Sequence, residues 1–218
     1  MSQGFGLGEF LFLLRGLGWS VLLSLIAFAG GGAVGLAVAL LRTSPRAALR
    51  RATQIYIGIF QGTPLLLQLF CVYYGLGLVG IQLPAWASVA IGFTLNASAF
   101  LGDIWRGAIE ALPRGQSEAA VALGLHYVDR MRHVVLPQAL RIAQPATVGY
   151  AVQLIKGTSL AAIVGFIELT RAGQIVSNST FQPVLVFGVV GAIYFALCWP
   201  LSLYSARLEA RFARAGAR

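Results

Sequence analysis

From Trp19 to Leu41 the chain carries no charged residue, and between Arg51 and Asp103 it again carries none. These two runs restrict the fold more than any other feature. A helix crossing about 30 Å of hydrocarbon needs ~20 apolar residues, which the first run supplies. The second is too long for one crossing and divides at the proline-containing stretch Val79 to Trp86, giving two helices joined by a short turn. A fourth span is expected to start near Pro137 and a fifth to run from about Val184 to Ala206, with Lys156 the one charge in the body of a span. The sequence therefore predicts an all-α integral membrane protein of five transmembrane helices, built as a single domain over residues 1–218. A transmembrane β-barrel would alternate apolar and polar residues in short segments, and these runs do not alternate. Only 11% of the residues are charged, where a soluble domain needs about a quarter. The start, MSQGFGLGEF, lacks the basic segment of a cleavable leader, so the first apolar run is expected to stay as an anchor.

A net charge of +9 raises the question of nucleic acid, but the placement of the arginines answers it differently. Arg42, Arg46, Arg50 and Arg51 follow the first span. Arg106, Arg114, Arg130, Arg132 and Arg141 lie between the third and fourth, and Arg207, Arg211, Arg214 and Arg218 form the tail. The alternate connections hold only Arg15 and Arg171. Basic loops mark the cytoplasmic side, so the N-terminus is expected outside and the C-terminus in the cytoplasm. No nucleic-acid partner is implied, and anionic membrane lipids are a secondary contact.

Several motifs are decoys. Gly30 to Gly35 matches a dinucleotide-binding glycine pattern, but it lies in an apolar span with no strand before it, where Gly31 and Gly35 fit close helix packing. Lys156-Gly-Thr-Ser159 lacks the upstream glycine and residue order of a phosphate loop. Asn178-Ser-Thr180 has the form of a glycosylation sequon. Cys71 and Cys198 sit in apolar runs and are expected to pack rather than bridge or bind metal. His126 and His133 have no third ligand nearby in sequence, so no metal site is expected.

One segment does not belong in lipid. EAAVALGLHYVDRMRHVVLPQA, from Glu118 to Ala139 and overlapping a segment of about 112–136, is charged and helix-forming, and it is broken at Gly124. Ser117 is expected to cap a helix beginning at Glu118, with Ala119, Ala120 and Leu123 on one face. Gly124 ends it, since glycine adopts the left-handed cap without strain. A second short helix then presents Val128, Met131 and Val135 on one side and Asp129, Arg130 and Arg132 on the other, before the next span near Pro137. An interfacial helix resting on lipid would also be charged on one face. A small-residue face and a fixed turn instead suit docking on protein.

The pattern Glu118-Ala119-Ala120, Gly124, Val134, Leu136-Pro137 resembles the E-A-A motif of ABC importer permeases, with Val134 in place of the usual Ile. GTPLLLQLFCVYYGLG (from Gly62), AFLGDIWRGAI (from Ala99) and IKGTSLAAIVGFIEL (from Ile155) are similar to blocks of the polar amino acid uptake permeases of the histidine, glutamine, glutamate and arginine type. The resemblance implies the type I ABC importer permease core and an inner-membrane location. It also implies that the quoted stretch is a helix seated on a separate cytoplasmic ATPase dimer, which binds ATP and magnesium. This chain would then catalyse nothing and hold no cofactor. A second permease subunit and an extracytoplasmic amino-acid-binding protein complete the implied assembly. The chain departs from the family at Gln61 (usually Arg), Phe100 (Tyr), Asp103 (Glu) and Gly149 (Asn); those at Gln61 and Gly149 lie inside spans and bear on substrate range.

Transporters bind near the midplane where glycine or proline interrupts a span. Counting from Ala52, Gly62-Thr63-Pro64 lies roughly 15 Å into the membrane. Pro64 has no N–H, so the carbonyl of Phe60 loses its helical partner. Gln61, Thr63 and Gln68 surround this break, and Asn96 reaches a similar depth. Lys156 is an intramembrane charge and by that fact a candidate for function. Gly157 and Gly165 are expected to interrupt its helix at Thr158 and Ser159. Glu168 is the expected partner of Lys156, either as a structural ion pair or as the second charge around a zwitterionic ligand. Asp103 and Arg106 are expected to form a salt bridge or inner gate. Two other readings stay open: an intramembrane scaffold, and a gradient-driven transporter without an ATPase.

Overall fold

The computed structural model describes residues 4–216, with no side-chain account of residues 213–216. Met1–Gln3 of the amino-terminal stretch and Arg218 of the basic tail lie outside the described residues. Every regular element among the described residues is helical: α1 (Leu7–Arg42), α2 (Ala47–Gly62), α3 (Leu65–Phe70), α4 (Leu76–Leu78), α5 (Ala85–Glu110), α6 (Arg114–Ala122), α7 (Tyr127–Arg130), α8 (Leu136–Gly157), α9 (Leu169–Thr180) and α10 (Pro183–Gly216). A π-helical turn at Cys71–Gly75 joins α3 to α4, another at Met131–Val135 joins α7 to α8, and a 3-10 turn at Thr158–Val164 follows α8. Four helices are long and apolar enough to cross a membrane, and the bent pair formed by α2 and the segment Leu65–Leu78 makes a fifth if it counts as one span.

The centre of the bundle is the seam between α1 and α5, the most extensive helix pairing in the molecule. Glycine makes it possible. A Cβ on Gly31 would lie 2.4 Å from that of Ala97, and one on Gly35 would lie 3.0 Å from the carbonyl of Ser98. Phe93, Ala97 and Leu101 on α5 meet Leu23 and Ala27 on α1, with Tyr150 and Leu154 of α8 closing the core. Lipid offers apolar side chains no hydrophobic gain over one another, so close backbone approach supplies the packing energy. The flanks of the bundle carry exposed apolar side chains such as Leu25, Ile55 and Val184.

Four features go beyond the expected outline. Span two does not run straight, because its two halves are bent by 104° at Thr63-Pro64. Thr63 is extended there (φ −115, ψ 142), and Pro64 cannot continue the ladder. The helix that holds the fourth span begins before Pro137, at Tyr127, because the π-helical turn keeps the chain helical from α7 into α8. The second short helix of the charged segment is thus continuous with that helix. Finally, α9 fills the connection between the fourth and fifth spans. Its cap is Glu168, whose carboxylate accepts from the backbone N–H of Thr170 and Arg171 at 2.8 Å each. Leu169, Ala172, Val176 and Thr180 form its buried face against α1 and α10. The expected interruption between Gly157 and Gly165 is present, with Gly165 left-handed at φ 82.

Candidate functional site: a broken helix at mid-bundle and a docking segment at one end

Bending the chain at Pro64 leaves the carbonyls of Phe60 and Thr63 without helical donors, and Gln68 supplies them. Its Nε2 lies 2.8 Å from the carbonyl oxygen of Phe60, 3.0 Å from that of Thr63 and 3.0 Å from the Thr63 hydroxyl. Asn96 donates to Gln68 Oε1 at 3.0 Å, and the Tyr150 hydroxyl donates to Asn96 Oδ1 at 3.2 Å. A single polar relay therefore ties the break in span two to α5 and α8. Gln68, Asn96 and Tyr150 are all buried, so an unmade bond anywhere along the relay is costly.

This relay forms the back wall of a cavity of about 260 Å³ lined by Phe60, Thr63, Asn96, Phe100, Tyr150 and Gln153, among others. The lining combines carboxamides, hydroxyls and aromatic faces with no charged group. It can hydrogen-bond both an ammonium and a carboxylate without fixing which end lies where. On the far side of Gln153 a second cavity, about 380 Å³, is lined by Gly149, Gln153, Lys156, Ser202, Ser205 and Glu209. Gln153 lines both, so the two are neighbours across α8.

The residues singled out from sequence divide between these places. Thr63 and Asn96 line the first cavity and Gln68 braces it from behind. Gln61 is exposed at the end of α2 and lines neither cavity. Lys156 lines the second, and among the described residues it has no ion pair. The expected partnership with Glu168 is not formed. Glu168 is 0% exposed, committed to the α9 cap, and also accepts from the hydroxyls of Tyr194 at 3.0 Å and Ser20 at 3.4 Å. Thr158 and Ser159 donate to the carbonyls of Ile155 and Lys156, at 2.7 and 2.8 Å, and so finish the helix end. Gln153 and Tyr150 were missed, although Gly149, Gln153 and Lys156 follow helical spacing as a polar stripe on an otherwise apolar span. Cys71 is exposed on the outside of the bundle, whereas Cys198 is buried as expected.

At one end of the bundle the turn after α1, the end of α5, α6 and α7 converge. The Arg106 guanidinium binds Asp103 at 2.9 Å and also Glu110, making the expected salt bridge part of a triad. α6 starts at Arg114 behind Pro113, so Ser117 lies inside the helix and does not cap it. The helix ends as expected at Gly124, which is left-handed at φ 79. Gly124 N–H bonds the Val121 carbonyl at 2.9 Å and Leu125 N–H bonds that of Ala120 at 3.1 Å, the paired bonds of a Schellman cap. Ala119 and Leu123 share an exposed face with Glu118, while Ala120 turns inward and is 3% exposed. Ala120 therefore does not belong to the outer face. Leu123 is 81% and Val128 70% exposed, leaving an apolar ridge at the end of the molecule. Gln138 bonds Gln116 at 3.1 Å and the Val134 carbonyl at 2.8 Å, fixing α6 against the start of α8 beside Leu136 and Pro137. The segment is thus held rigidly between two spans.

Residues 31–214 match the model of the family described as binding-protein-dependent transport system inner membrane component. A probable amino-acid ABC transporter permease protein of Bacillus subtilis, YckA, is 35% identical over 94% of this chain and 91% of its own length. The L-cystine transport system permease protein TcyB of the same organism is 34% identical over 93% of this chain and 87% of its own. Its arginine transport system permease protein ArtQ is 30% identical over 91% of each chain. Among solved structures, an amino acid ABC transporter with histidines superposes with a TM-score of 0.84 at 31% identity, covering 92% of this chain and 94% of that one. The MetNI methionine ABC transporter, inward facing, shares the fold with a TM-score of 0.79 at 22% identity.

Proposed function

Since the chain belongs to the family of binding-protein-dependent transport system inner membrane components, we propose that it is the transmembrane subunit through which an ABC importer passes a polar or charged amino acid into the cytoplasm. The scaffold and gradient-driven readings fall with that membership. The observation that carries the mechanism is the segment from Glu118 to Pro137. It presents an exposed ridge, a fixed left-handed turn at Gly124 and a rigid continuation into α8. A push on that ridge reaches α8, and through Tyr150 and Asn96 it reaches the break at Pro64. We assign the push to a cytoplasmic ATPase dimer that holds the ATP and magnesium, with the basic end and the C-terminus facing the cytoplasm. One chain gives half a pathway, so a second permease, identical or related, completes it. An extracytoplasmic binding protein delivers the cargo.

We place the amino acid in the cavity between Thr63, Asn96, Tyr150 and Gln153, with Lys156 on the neighbouring face of α8 available to a carboxylate. Relatives named for arginine, for cystine and for glutamine support the class of cargo and leave its identity to experiment. The test is uptake by proteoliposomes containing the permeases, the ATPase and the binding protein, supplied with labelled arginine, glutamine, histidine, glutamate or cystine. Accumulation of one class only with ATP inside is the expected result, and Gln153→Leu should lower it about tenfold, the loss of one hydrogen bond to a charged group. Uptake that ignores ATP would refute the assignment.

A further inference from the structure

The basic end of the molecule contains a cavity of about 610 Å³ bordered by Arg42, Arg50, Arg114 and Arg130. Its one carboxylate, Glu110, is already bound to Arg106. Among the described residues none of the four arginines has an ion-pair partner. Arg50 donates to the carbonyls of Ser44 and Pro45 at 3.0 and 2.8 Å, which fixes its charge beside the turn. Arg130 lies over the Tyr127 ring at 5.5 Å, and its Nε is buried with no hydrogen-bond partner. Four guanidinium groups around one space repel each other unless an anion enters it. The volume falls in the range of organic ligand pockets, about 300–1,000 Å³, well beyond a single ion.

A second, independent feature adjoins it. Across Tyr127 and Met131 lies a groove of about 450 Å³ walled by Leu40, Leu41, Val128 and Leu136, with Arg132 beside them. Ser44, Tyr127 and Met131 line both spaces, so the two adjoin across these side chains. Leu40 and Leu41 are the last apolar residues of a membrane-spanning helix. The groove therefore sits where hydrocarbon gives way to headgroups. A soluble anion would make no use of the groove, and an apolar peptide would make none of the arginines. We propose that the two together bind one anionic phospholipid, with its phosphodiester among Arg42, Arg114 and Arg130 and an acyl chain in the groove. The lipid would then bridge the α1–α2 turn and the docking segment. This assignment does not depend on the cargo.

The test is native mass spectrometry of the detergent-solubilised protein, titrated with phosphatidylglycerol, with phosphatidylcholine of the same chains, and with inorganic phosphate. Phosphatidylglycerol is expected to remain bound where phosphatidylcholine is lost. Removing two charges in Arg42→Gln with Arg130→Gln should weaken retention about tenfold or more, and Arg46→Gln, outside the cavity, should not. If the double variant does not fold, Leu41→Ser in the groove decides the matter by weakening retention of phosphatidylglycerol while leaving phosphate unaffected. Equal retention of the two lipids, displacement of phosphatidylglycerol by phosphate, or expulsion of the lipid when the ATPase binds would each overturn the proposal. The last result would assign the cavity to the subunit interface instead.

Discussion

Gln68 sits at the point where a helix break is made compatible with burial. Its amide supplies the carbonyls that Pro64 leaves unpaired, and its own oxygen is answered by Asn96. Gln68→Leu removes the donor to Phe60 and Thr63 and strands the buried amide of Asn96, so it should lower stability by about 1–3 kcal/mol. Thermal unfolding in detergent reads this directly, and an unchanged midpoint would remove Gln68 from the frame. Glu168 makes a parallel case. Glu168→Gln keeps one acceptor for the α9 amides and should cost less than Glu168→Leu, which forfeits the cap for about 0.5–2 kcal/mol and leaves Tyr194 and Ser20 without their acceptor. Limited proteolysis of α9 should rank the variants in that order. Sequence made the first of these residues legible, because proline chemistry names the carbonyl it orphans. It misplaced Glu168, because nearness to Lys156 along the chain says nothing of direction once a 3-10 turn and left-handed Gly165 intervene. Gln153 and Tyr150 needed the three-dimensional meeting of α8 with the break.

At the level of elements, the α1–α5 seam depends on the absence of side chains. Gly31→Leu forces apart two helices whose backbones are already in contact at Ala97, and it should abolish the folded, monodisperse protein in size-exclusion chromatography. Gly31→Ala combined with Ala97→Gly should recover part of the loss, since the colliding methyl group is gone. Gly124 behaves differently. A Cβ there meets open space, so Gly124→Ala costs only the left-handed backbone, about 1–2 kcal/mol. Its melting temperature should fall slightly while the protein stays in the membrane. The long spans were legible because lipid demands uninterrupted apolar runs. The 104° bend was not, since proline announces a break without its angle. α9 was not legible either, because a polar helix between two spans leaves no long apolar run and shows only a cap residue and a short periodicity.

The whole molecule has two working regions joined by one long helix: the polar cavity at the Pro64 break and the ridge around Gly124. Neither does anything alone under this account. The fold class and the turn at Gly124 could both be read from the sequence, because each rests on local patterns. The polar cavity could be read only in part, since its walls come from α2, α5 and α8 together. The central claim is that the ridge couples this chain to a separate ATPase. The most direct measurement is copurification of the solubilised chain with ATPase subunits from its own membranes, wild type beside Gly124→Arg. The account predicts that an ATPase accompanies the wild type and is lost from the variant, which still elutes as a folded membrane protein. An ATPase retained equally by both, or absent from both under gentle solubilisation, would contradict it.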